Sequence, residues 1–131
     1  MNAFLVELEN KPGELARITE AIAAKGIDIN GVSGSTCGSS GSVALMTDND
    51  DATRTALGEA GVKFREMEPT RAAVGMAPGS LAKTCRRLAD GGVNIEAMMP
   101  IGMEGDHVMI AFVTGDPAKA RQILSTAGTA A

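Results

Sequence analysis

Asn10-Lys11-Pro12-Gly13-Glu14-Leu15 closes one apolar run and opens another of different period. Before it, residues 3–8 (AFLVEL) are rich in large apolar side chains over too short a span for a helix, and read as a mostly buried strand. After it, Leu15, Ile18 and Ile22 recur at spacings of three and four, the stripe of an amphipathic helix, with Glu14, Arg17, Glu20 and Lys25 at other positions. The Pro-Gly pair is expected to set Pro12 at the first helical position, where its missing N–H costs nothing, and to leave the backbone open at Gly13. Gly26 stands where a helix usually ends in a left-handed residue. Ile27-Asp28-Ile29-Asn30 then alternates like a half-buried strand and loses its parity at Gly31, which predicts a bulge there.

Residues 34–41 (GSTCGSSG) read as a long, flexible hairpin loop, followed by a strand over 43–47. Asp48-Asn49-Asp50-Asp51 supplies caps and favourable charge for a helix whose Ala52, Ala56, Leu57 and Ala60 share a face. Gly61 closes that helix, and residues 62–68 read as a fourth strand with Pro69 as punctuation. The order is strand, helix, strand, strand, helix, strand. It then restarts: Pro78-Gly79-Ser80-Leu81 repeats the first turn at an offset of 66, and Val93-Asn94-Ile95-Glu96 repeats the strand at residue 27 at the same offset. The second copy reads as a strand at 71–76, a helix over 79–90 with Leu81, Cys85 and Leu88 on its stripe, and a stop at Gly91-Gly92. A strand over 108–114 and a helix opened by Asp116-Pro117, carrying Ala120, Ile123, Leu124 and Ala127, follow at an offset of 67. Only Thr129-Ala130-Ala131 remains for a fourth strand, so the second unit is expected to lack most of it. The chain thus divides into units at 1–69 and 70–131. The uncovered edge this leaves predicts a homo-oligomer, most simply a homodimer. Residues 109–113 (MIAFV) are apolar at both parities, as in a strand covered on both faces.

A net charge of −4 argues against a phosphate backbone as partner, and three Phe with no Trp or Tyr leave little to stack on bases. The apolar runs are too short to span a membrane, and the first residues lack a signal peptide's basic flank and apolar region, so a cytoplasmic protein is expected. Cys37 and Cys85 form no C-x-x-C and are expected as reduced thiols. No catalytic constellation is visible: His107 has no triad partner at a suggestive spacing, and nothing basic flanks Cys37 to activate it. Cys85 lies on a helix stripe and is expected in the core. Asp48, Asp50 and Asp51 lack the Gly and distal Glu of a calcium loop and read as caps. Met98, Met99 and Met103 read as packing or an adaptable interface. No metal or cofactor is expected.

Asn10-Lys11-Pro12-Gly13-Glu14-Leu15, the helix after it, Gly26 and Ile27-Asp28-Ile29-Asn30 together resemble closely the opening of an ACT domain, a small ligand-sensing module of amino-acid metabolism. Two such units span essentially the whole chain, although Met76-Ala77 before Pro78 lacks the polar pair of the first loop. The resemblance implies an α+β protein of two tandem ferredoxin-like (β-α-β-β-α-β) units. It also implies an effector, typically a free amino acid, bound between units by the strand-to-helix loop of one and the second strand of its neighbour. Carried over by position, one site would use Asn10, Lys11, Pro12, Gly13, Glu14 and Leu15 with Asn94, Ile95 and Glu96. Its pseudo-symmetric counterpart would use Pro78, Gly79, Ser80 and Leu81 with Asp28, Ile29 and Asn30. The implied protein is a non-catalytic regulator of a separate metabolic enzyme. The alternatives are an oligomerisation or interaction subunit with degenerate ligand sites, and a small ferredoxin-like enzyme relying on His107 or Cys37.

Overall fold

A computed structural model describes residues 1–126. The chain separates into two compact units, Met1–Met67 and the remainder from Glu68. In the first, β1 (Ala3–Glu9), α1 (Glu14–Ala23), β2 (Ile29–Cys37), β3 (Ser40–Thr47), α2 (Asp50–Glu59) and β4 (Phe64–Met67) form an antiparallel sheet in the order β2-β3-β1-β4. Phe4 and Val6 of β1, Val43 and Leu45 of β3, Ile18 and Ile22 of α1, and Ala56 and Leu57 of α2 make one apolar cluster. The helices therefore share one face of the sheet. Burying each of the larger side chains contributes about 1.5–3 kcal/mol. Phe64 tilts against Phe4 with ring centroids 6.0 Å apart.

From Glu68 the pattern repeats through β5 (Pro69–Gly75), α3 (Ser80–Asp90), β6 (Ile95–Glu104), β7 (His107–Thr114) and α4 (Pro117–Thr126), with strands in the order β5-β7-β6. This is the expected α+β architecture of two β-α-β-β-α-β-like units, the second having three strands among the described residues. The fourth strand expected near Thr129 and the helical position of Ala127 lie outside those residues. Ala72, Val74, Ile110 and Phe112 pack with Leu88, Ala120 and Leu124 as the second core. Strand β7 is buried at both parities from Ile110 to Thr114.

Several local expectations hold. Gly26 and Gly92 take positive φ after their helices, the register of β2 shifts between Ile29 and Gly31, and Asn49 caps α2 by accepting from the Ala52 N–H at 3.0 Å. Others are corrected. Residues 34–41 are not a long loop: β2 runs on to Cys37, β3 begins at Ser40, and only Gly38-Ser39 turn the chain. Gly38 at φ 63 supplies the first central residue of such a tight hairpin, so small polar residues that look like loop complete the ladder. Pro69 opens β5 instead of breaking the chain, a position where a strand tolerates a missing donor. On α3 the buried stripe is Ser80, Thr84 and Leu88, which leaves Leu81 exposed and Cys85 only half-buried. Met99 is wholly buried whereas Met103 is 59% exposed.

The two units differ at a buried polar pair. Thr47 and Thr53 share a hydroxyl–hydroxyl hydrogen bond of 2.7 Å with no solvent exposure. The Thr53 hydroxyl also donates to the Asn49 carbonyl. In the second unit Thr114 occupies the place of Thr47 but Ala120 that of Thr53, and the Thr114 hydroxyl is buried with no partner. Removing the Thr47 hydroxyl leaves Thr53 its bond to the Asn49 carbonyl but takes away its second partner and the acceptor of the Asn49 N–H, whereas removing an orphan costs little. Thr47→Val is therefore expected to lower stability by about 1–3 kcal/mol, and Thr114→Val to leave it unchanged or raise it, as read by urea denaturation of both variants.

Candidate functional site

The turn between β1 and α1 is built differently from the sequence expectation. Pro12 lies before the helix, whose N-cap is Gly13 at φ 91, ψ −13. The Glu14 N–H reaches the Lys11 carbonyl at 3.4 Å, so Pro12 and Gly13 are the central pair of a type II turn. The second unit repeats it: Gly79 sits at φ 90, ψ −7, and the Ser80 N–H donates to the Ala77 carbonyl at 3.1 Å. Neither helix has a side-chain cap. The first helical bond of α1 runs from the Arg17 N–H to the Gly13 carbonyl, so the helix itself offers no acceptor to the N–H groups of Leu15 and Ala16. Partial positive charge gathers there.

Asn10 ties this turn to the tip of the β2–β3 hairpin. Its backbone N–H donates to the Ser39 carbonyl and its side-chain amide to the Gly38 carbonyl, each at 2.9 Å. Asn10 is thus a brace. It holds the turn above the end of the sheet, and a cleft of about 400 Å³ lies between them. On the turn side the cleft is lined by Leu8, Glu9, Asn10, Lys11, Glu14 and Leu15. Its other wall comes from Val32, Gly34, Ser35 and Thr36 of β2 with Ser42 and Val43 of β3. Leu15 is 47% exposed and Val32 50%, an apolar pair left open at the rim. Leu15 therefore does not continue the buried stripe of Ile18 and Ile22, as the spacing predicted; it overhangs the cleft.

The charges at the cleft are paired. Lys11 meets Glu9 at 3.1 Å, and that neighbour raises the Lys11 pKa. Arg17 meets Glu14 at 3.3 Å and lowers its carboxyl below the ordinary range. The Lys11–Glu9 pair is open to water and contributes little stability, whereas Glu14 is largely covered in its pair. Chemically, the cleft joins a helix start able to receive a carboxylate to an apolar floor.

Of the first set of sequence candidates, Asn10, Lys11, Glu14 and Leu15 line this cleft, while Pro12 and Gly13 shape the turn above it. Asp28, Ile29 and Asn30 do not line it. Asp28 is bonded through its backbone to Asp48 in both directions, Ile29 packs against the first core, and the Asn30 amide lies 3.7 Å from the Met1 sulfur. Pro78, Gly79, Ser80 and Leu81 form the second turn, with the Ser80 hydroxyl buried and unpartnered. Asn94 and Glu96 are exposed around Ile95, which packs on the second core. The wall from Val32 to Val43 was missed because residues 34–41 read as loop; the alternation of Val32, Gly34 and Thr36 up to a Gly-Ser turn was the available signal.

His107 pairs with exposed Asp106 at 2.8 Å, and both cysteines are free. Among the described residues no group of three or more His, Cys, Asp or Glu converges as a metal site, and no helix is long and apolar enough to cross a membrane.

No protein-family model matches the chain, and no curated protein matches it. Solved structures do. A protein from Bacteroides thetaiotaomicron aligns over 95% of this chain and 85% of its own, with a TM-score of 0.78 at 22% identity. The ligand-free regulatory subunit of aspartate kinase from Thermus thermophilus aligns over 96% of this chain and 90% of its own, with a TM-score of 0.64 at 20% identity. The aspartate kinase of Clostridium acetobutylicum, described as an allosteric enzyme, matches 94% of this chain with 31% of its own, at a TM-score of 0.60 and 12% identity. At these identities the likeness is one of fold, and the fold is ACT-like.

The turn geometry yields a direct test. A Cβ at Gly13 would meet nothing within 4 Å, so the residue is required only by its φ of 91. Gly13→Ala should cost about 1–2 kcal/mol through backbone strain alone, measured as a lower thermal midpoint with an unchanged far-ultraviolet circular dichroism spectrum.

Proposed function

We infer that this chain is a non-catalytic regulatory protein that binds a small effector, a free amino acid, where ACT units meet. The cleft beneath the first turn carries this reading: it pairs an uncapped helix start with an apolar floor and two neutralised charge pairs. The effector carboxylate lies at the start of α1 beside Lys11. Gly13 keeps the backbone there free of a side chain, and Pro12 fixes the turn. Asn94, Ile95 and Glu96 of a neighbouring unit, in the same chain or a second copy, complete the site around the ammonium group. The set of Pro78, Gly79, Ser80 and Leu81 with Asp28, Ile29 and Asn30 is the weaker of the two. Likeness in fold to a kinase regulatory subunit supports a regulatory role, and a separate cytoplasmic enzyme is the partner this reading calls for. Strand β5, outermost in its sheet among the described residues, supports assembly as a homodimer, because an edge strand presents unpaired backbone groups. Effector bound more tightly by one assembly state than another shifts the balance by that difference, which is all regulation needs.

A thermal-shift screen against the common amino acids tests this. A ligand at 100 times its dissociation constant stabilises the folded chain by about 2.7 kcal/mol, so one amino acid or a small related group should raise the midpoint by several degrees. A blank screen would favour the alternative, an interaction subunit whose ligand sites are degenerate.

A further inference from the structure

The strand registers of the two units align their cleft positions residue by residue, and the comparison is lopsided. Leu8 pairs with Gly41 as Val74 pairs with Val108, and Val32 with Leu45 as Met98 with Phe112. Gly34 pairs with Val43 as Pro100 with Ile110 and, past an extra residue in β6, Thr36 with Gly41 as Met103 with Val108. Where the first unit has glycine at positions 34 and 41, the second therefore carries Pro100 and Val108. Met98 replaces Val32 and Met103 replaces Thr36. Met98 and Val108 pack against the second core, whereas Val32 stands half-exposed at the rim of an open cleft. The turn has changed too: Gly75, Met76 and Ala77 take the places of Glu9, Asn10 and Lys11, and Ser80 that of Glu14. The ion pairs that flank the first cleft thus have no counterpart in the second.

We propose that the two units have diverged in role. The first unit's cleft holds the effector and selects an uncharged aliphatic side chain, while the matching face of the second unit, where Pro100 and Val108 stand in place of glycines and Met98 and Met103 in place of smaller side chains, holds none. This rests on the functional reading above and narrows it. Selection follows from the lining. Leu8, Leu15, Val32 and Val43 offer an apolar surface, and the nearby charges are already paired as Lys11 with Glu9 and Glu14 with Arg17. A charged side chain entering the cleft would lose water and find no unpaired opposite charge.

Isothermal titration of the full chain with valine, leucine, isoleucine, aspartate and lysine tests the proposal. One equivalent per chain is expected for an aliphatic amino acid, with aspartate and lysine bound at least about ten-fold more weakly. Giving the first cleft the second unit's residues, as Val32→Met with Thr36→Met, should weaken binding at least about ten-fold, because the added methylenes occupy the ligand's space. Both positions are exposed, so the fold, checked by circular dichroism, should be unchanged. Met103→Thr should leave affinity and stoichiometry as they were. Two equivalents per chain, preference for a charged amino acid, or loss of binding on Met103→Thr would overturn the divergence while leaving the effector reading intact. Failure of every amino acid to bind would overturn both.

Discussion

The structure depends on one backbone constraint used twice, a glycine in the left-handed region at the junction of strand and helix. Gly13 and Gly79 hold nearly the same conformation, φ 91 and φ 90, and each is the third residue of a turn closed by a hydrogen bond from the first helical residue. A residue with a side chain pays strain there. The constraint lets the chain leave a strand end, reverse over the sheet and enter a helix without a capping side chain. That is why the first turns of α1 and α3 present backbone instead of side-chain oxygen.

What the two turns then do is decided by their neighbours. In the first unit Asn10 braces the turn to the Gly38-Ser39 hairpin, and the paired strands beneath carry glycine at positions 34 and 41. In the second, Met76 replaces the brace, and Pro100 and Val108 stand where the glycines were. The same backbone device supports an open cleft flanked by ion pairs in one case and an apolar surface in the other. The Thr47–Thr53 pair, which has Thr114 and Ala120 in its place in the second unit, is the same kind of difference inside the core: the repeated position keeps its shape but not its partner.

Much of the fold was legible because it follows from local rules. The apolar periods of 3–8 and of Ile18 and Ile22, the glycines after the helices, the Asn49 cap and the register shift near Gly31 each have a physical cause confined to a few residues. What failed was decided by tertiary context. Residues 34–41 look like loop because three Gly and three Ser dominate them and give no apolar alternation, yet pairing with β3 makes them strand. Leu15 and Leu81 keep a helical spacing from buried residues but lie at the exposed first turn of their helices; both stay over 40% exposed. The turn half of the candidate site was readable from Asn10 to Leu15. The wall from Val32 to Val43 was not, since it exists only once the hairpin is recognised.

The central claim is that an amino acid occupies the first turn and its hairpin wall. Amide chemical-shift mapping of the isotopically labelled chain during titration with an aliphatic amino acid tests it most directly. The account predicts the largest changes at the amides of Lys11, Leu15 and Ala16, with Gly34 and Thr36 following, and little change at Gly79 to Leu81. Changes centred on Gly79 to Leu81, or shifts confined to residues remote from both turns, would contradict it.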